Sequence, residues 1–89
     1  MQVLLHHTAK KYLNRLQPAD RDRFDVAFTA LEKEPPEGDI KPVIGQPGKW
    51  RLRVGGYRAL FEIEDNKILV THIEPRGQAY TKKTRNKRG

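Results

Sequence analysis

The chain has 89 residues, 33% charged and 36% hydrophobic, with no cysteine and a formal net charge of +7. That length leaves room for one domain and excludes a wide, deep cavity, because so small a chain buries only about 60% of its unfolded surface. The absence of cysteine excludes disulfides and thiolate metal centres. No apolar run approaches the ~20 residues that span a bilayer, and Met1 to Leu5 is too short for a signal-peptide core, so a small cytoplasmic protein is expected.

Gln2 to His6, rich in Val and Leu, reads as a short strand. Thr8 is placed to cap a helix in which Ala9, Tyr12, Leu13 and Leu16 share one face. Pro18 suits the first turn of a second helix, Asp20 and Asp22 suit its dipole, and Phe24, Ala27, Phe28 and Leu31 form its apolar stripe. Pro35-Pro36 ends that run. Residues 35–48 are rich in Pro and Gly and read as an irregular loop. The period then changes to two. Trp50, Leu52 and Val54 alternate with Lys49, Arg51 and Arg53; Gly55-Gly56 signals a hairpin; Tyr57, Ala59, Phe61 and Ile63 resume the apolar side. Asp65-Asn66 turns the chain into a last strand over Lys67 to Glu74, stopped by Pro75 and Gly77. The expected fold is α+β: an N-terminal strand, a two-helix hairpin, then a three-stranded antiparallel meander, with the helices on one sheet face.

The charge is unevenly spread. Residues 1–40 are net −1, whereas 41–61 hold Lys41, Lys49, Arg51, Arg53 and Arg58 with no acid. Residues 81–89 add Lys82, Lys83, Arg85, Lys87 and Arg88, again with none. Such asymmetry favours a polyanionic partner, nucleic acid first. With Gly55-Gly56 as the turn, Arg53 falls opposite Arg58, and Lys49, Arg51, Arg53 and Arg58 all point away from the helices. Like charges opposed on a sheet repel, and only Glu62, further along, brings an acid to that face; a bound phosphate chain would relieve them, since guanidinium pairs with phosphate through two parallel hydrogen bonds. Alternating charged and apolar residues are what any half-exposed strand shows; a single sign and an excess of arginine set this block apart. Arg76 and Tyr80 follow the last strand, where they could reach the edge of the same face. The tail, 81–89, reads as flexible, with Lys82, Lys83 and Arg85 offering non-specific attraction to RNA phosphates beside Lys49.

Other chemistry finds little support. His6 and His7 alternate faces on a strand and cannot easily share a metal, so one is expected half-buried and one exposed. His72 falls opposite Ala59 and reads as a core histidine. Glu62 and Glu64 lie near a turn and do not form a paired-carboxylate site. No phosphate-cradling Gly loop, nucleophile elbow or zinc spacing is present, and no metal or other cofactor is expected.

The run Gly48 to Ile63, with the Pro-Pro-x-Gly-Asp loop at Pro35 to Asp39 and the closing Pro-Arg-x-x-x-Tyr at Pro75 to Tyr80, resembles the RelE/ParE-like toxin superfamily. The resemblance spans residues 1–80, with 81–89 as a basic tail. It implies the RelE-like microbial RNase fold and a type II toxin neutralised by a cognate antitoxin, in a toxin–antitoxin hetero-oligomer with no membrane partner. The RelE branch cleaves messenger RNA on the ribosome by attack of a ribose 2′-hydroxyl on the adjacent phosphate; the ParE branch poisons DNA gyrase. Of the two, the RelE branch is favoured. By position, the resemblance gives Arg51 and Arg53 the two basic places on the first hairpin strand. Arg58 takes that of a phosphate-holding arginine, Arg76 that of a late catalytic arginine, and Tyr80 that of an aromatic stacked on a base. The best-known nucleases of the branch carry lysine at the first two places; arginine there favours phosphate binding over base catalysis. A non-catalytic basic binding module is the alternative from another class.

Overall fold

The computed structural model describes residues 1–76. Strand β1 (Gln2–Leu5) is followed by helices α1 (His7–Asn14) and α2 (Pro18–Leu31), then strands β2 (Asp39–Pro42), β3 (Lys49–Val54), β4 (Tyr57–Glu64) and β5 (Lys67–Pro75). One five-stranded sheet has the order β1-β5-β4-β3-β2, with β1 parallel to β5 and the other pairs antiparallel. The expected α+β class and meander stand. The meander, however, gains a strand: part of the Pro/Gly-rich segment expected as loop is β2, paired along β3 from Asp39↔Arg53 to Pro42↔Trp50. Pro42 lacks an amide donor and is tolerated because β2 is an edge. Gly38 makes the approach feasible: its φ is +142°, and a Cβ there would sit 2.9 Å from the Leu52 Cδ1.

Helix α1 starts earlier than expected. His6, not Thr8, is the N-cap, its Nδ1 accepting from the Thr8 amide at 3.3 Å. Helix α2 begins at Pro18 as its sequence indicates. Arg21 locks the turn between the helices, donating from Nη1 to the carbonyls of Asn14 and Leu16 at 3.3 and 3.2 Å, two acceptors that the end of α1 leaves unpaired. Asp20 holds Arg23 at 3.0 Å and accepts from the Tyr57 hydroxyl at 3.4 Å, tying α2 to β4.

The helices cover one sheet face. Ala9, Leu13, Phe24, Phe28 and Leu31 meet Leu52, Val54, Ala59, Phe61, Ile68, Val70 and Ile73, with Trp50 and Tyr57 half-buried at the margin. Each large side chain so buried contributes roughly 1.5–3 kcal/mol. Ile63 keeps its place on this side but is 46% exposed, since α2 ends at Leu31; it borders an apolar hollow of about 210 Å³ with Trp50 and Phe61. At the outer edge of β1 the Val3 amide donates to the Glu32 carboxylate at 2.8 Å.

Candidate functional site

Two tight turns set the geometry of the open face. Gly55 sits at φ +57°, and Asp65 and Asn66 at +51° and +61°, the left-handed conformations that two-residue hairpins require. The first turn fixes Val54↔Tyr57 and Arg53↔Arg58, as the sequence implies. Lys49, Arg51, Arg53 and Arg58 therefore do lie on the face away from the helices.

Neighbouring strands complete this face in rows. The first row runs Asp39, Arg53, Arg58, Glu74 across β2 to β5, each residue paired with the next in register. The second row runs Lys41, Arg51, Leu60, His72. In the third, Lys49 pairs with Glu62. The expectation of an unneutralised basic block is thus corrected. Arg58 binds Glu74 at 2.5 Å, Lys49 binds Glu62 at 2.8 Å, and Asp39 serves both Arg53, at 3.7 Å, and Arg51, at 4.0 Å. Among the described residues, those four cations face three carboxylates, and two of the carboxylates come from strands outside the central hairpin.

The pairing is unequal. The two Asp39 contacts exceed hydrogen-bonding distance, so one carboxylate is shared loosely between two guanidiniums. Arg53 is 44% exposed. Arg51 is only 14% exposed, and its Nη1 is buried with no hydrogen-bond partner among the described residues. A buried donor left unpaired costs about 1–3 kcal/mol. Arg53 thus holds donors open to an incoming oxygen anion, Arg51 keeps its unpaired Nη1 beneath the surface, and Arg58 and Lys49 must first release a carboxylate.

Arg76 joins this end of the sheet: its amide donates to the Gly56 carbonyl at 2.9 Å, which sets it beside the hairpin turn. Tyr80, Lys82, Lys83, Arg85 and the rest of the basic tail lie outside the described residues. His6 and His7 are both exposed, their rings tilted against each other at 4.5 Å, rather than one half-buried. His72 is exposed, not in the core. A β-bulge between Leu60 and Phe61 leaves Thr71 unpaired, so His72 sits opposite Leu60 and Ile73 takes the place opposite Ala59. Sequence reasoning missed Asp39, Glu74 and the outward His72. The signal for the last was available: Ile68 and Val70 alternate, and the next apolar residue, Ile73, comes one position late.

Tyr12, against Tyr57 at the margin of the helix layer, has its hydroxyl pKa raised by burial, with Tyr57 and Glu74 adding to the shift. Among the described residues no helix is long and apolar enough to cross a membrane. None of their His, Asp and Glu side chains group in threes that could hold a metal ion.

This fold, with its open charged face, is that of the RelE/ParE-like type II toxins. The description "ParE toxin of type II toxin-antitoxin system, parDE" matches residues 3–80, and the chain belongs to that family. Three solved complexes contain similar chains. The archaeal RelE-RelB complex of Pyrococcus horikoshii OT3 matches at 30% identity and TM-score 0.73, covering 86% of this chain and 96% of the other. RelBE2 of Mycobacterium tuberculosis matches at 25% and 0.72, covering 84% and 96%. RelB-RelE of Methanococcus jannaschii, at 23% and 0.71 over 90% and 98%, shares the fold. Among curated proteins there is no match.

Proposed function

We propose that this toxin is a ribosome-dependent messenger RNA endonuclease, acting by 2′-hydroxyl transesterification and restrained by a cognate antitoxin. The observation that carries this reading is the half-exposed Arg53. It stands directly across from Arg58 and beside Arg51, and its own carboxylate is too distant for a hydrogen bond. A backbone phosphate seated between Arg53 and Arg58 would receive paired hydrogen bonds from Arg53, and from Arg58 once Glu74 has released it. The same charges would stabilise the phosphorane as negative charge builds on its oxygens. Arg51, whose Nη1 is unpaired but buried, lies one row away on the same face.

None of these arginines serves as a base, because guanidinium stays protonated. The ribosome supplies what they lack in alignment; positioning alone removes up to about 11 kcal/mol from a barrier. Cleavage of free RNA is not expected. The solved relatives bound to RelB support an antitoxin partner for this chain as well.

Mapping transcript 5′ ends after induction of wild type and of Arg53→Ala tests the reading. Codon-phased cuts that vanish in the variant support it; toxicity without cuts overturns it. A second reading, poisoning of DNA gyrase, is favoured by the name of the matched family. It predicts loss of supercoiling with intact transcripts. A non-catalytic module would show neither.

A further inference from the structure

The proposed reaction leaves one place unfilled, the acceptor of the 2′-hydroxyl proton, and the bulge in β5 presents a candidate. We propose, resting on the RNA-cleaving reading, that His72 takes that proton through its Nε2.

Three observations carry the inference. First, the bulge at Thr71 turns His72 out of the apolar layer and onto the arginine face, in the row of Lys41, Arg51 and Leu60. The ring is exposed there. Second, a short relay links the ring to the backbone and supports one tautomer. The Thr71 hydroxyl lies 3.3 Å from the Leu60 carbonyl, which can only accept, so Thr71 donates its one proton there. His72 Nδ1 lies 3.1 Å from the same Thr71 oxygen; with the hydroxyl proton directed at the Leu60 carbonyl, that oxygen accepts from an Nδ1 that carries the hydrogen. The neutral ring then has its free lone pair on Nε2. Third, a neutral imidazole can accept a proton and release it again, which the surrounding guanidiniums cannot.

The charged and titratable groups around the ring are defined. Across β4, Arg58 and Glu62 flank the paired Leu60, with Arg51 and Lys41 farther along the row. Along β5, Glu74 lies two residues on and Arg76 beyond it. On the other side β1 ends at Leu5, opposite Val70, and His6 follows, its amide donating to the Val70 carbonyl. In the step itself, Nε2 removes the 2′-hydroxyl proton as O2′ bonds to phosphorus. The bond from phosphorus to the 5′-oxygen breaks, water protonates the leaving oxygen, and the hydroxide so formed is neutralised by the proton that the imidazolium releases.

The test is single-turnover cleavage of a defined messenger on purified ribosomes, followed from mildly acidic to mildly alkaline pH. Wild type should lose rate about tenfold per pH unit on the acid side, as the imidazole takes up a proton. His72→Gln should cut about 10²-fold or more slowly, with that acid limb gone. Thr71→Val should lower the maximal single-turnover rate without changing the toxin concentration that half-saturates it, and Thr71→Ser should restore that rate; all three variants should melt with the wild type. A wild-type profile without an acid limb overturns the inference, as does a folded His72→Gln that keeps both rate and limb; in both cases the RNA reading survives. Wild type that cuts no ribosome-bound messenger overturns the RNA reading, and this inference with it.

Discussion

The two faces of the sheet obey different rules. On the inner face every position is decided by water: an apolar side chain goes in, and the described residues include no buried polar residue. On the outer face each residue's character depends on its neighbours across the strands. Asp39, Arg53, Arg58 and Glu74 come from four strands yet form one row of alternating purpose, with two like charges held between two opposite ones. The inner face is thus an area effect, tolerant of which apolar residue fills it. The outer face is a register effect, in which a shift of one residue would replace the whole set.

The contrast is broken most forcefully from the inside. Phe24→Ala, at a fully buried position, should cost about 3–5 kcal/mol in urea unfolding. Arg53→Ala should do the reverse, abolishing growth inhibition while unfolding changes by no more than about 0.5 kcal/mol. A large loss of stability in that variant would show that the ridge is structural rather than chemical. Asp39→Asn sharpens the same distinction: it frees two guanidiniums and should tighten RNA binding in a filter assay, steepening its salt dependence by about one counterion. Its stability should move by less than about 1 kcal/mol, because both contacts are long and the Asp39 carboxylate is half-exposed.

The smallest effect concerns pH. Tyr12 holds its proton more tightly when folded, so its contribution is fully present below the unfolded value near 10 and is lost as pH rises through the higher folded value. Stability should therefore fall slightly in strongly alkaline buffer, and Tyr12→Phe should remove that part of the slope.

What the sequence disclosed follows the same division. The stripes of α1 and α2 and the β3–β4 register were legible because periodicity and a Gly-Gly turn act locally. Strand β2 was not, because Pro and Gly signal loop and only the edge next to β3 makes Asp39 to Pro42 a strand. The arginines were legible as a group, but their neutralisation was not: Asp39 and Glu74 are distant in the chain from the residues they balance. His72 was misplaced because one inserted residue, Thr71, reverses the alternation after it.

The hydrogen bond from the Val3 amide to Glu32 has a consequence for how the molecule behaves in company. An open sheet border invites a second chain to continue its ladder. Here one border has a donor already occupied by a carboxylate, and the other carries Pro42, which has no donor to give. Both margins therefore discourage stacking into fibres, and replacing Glu32 with alanine would uncover the one that a single side chain keeps shut.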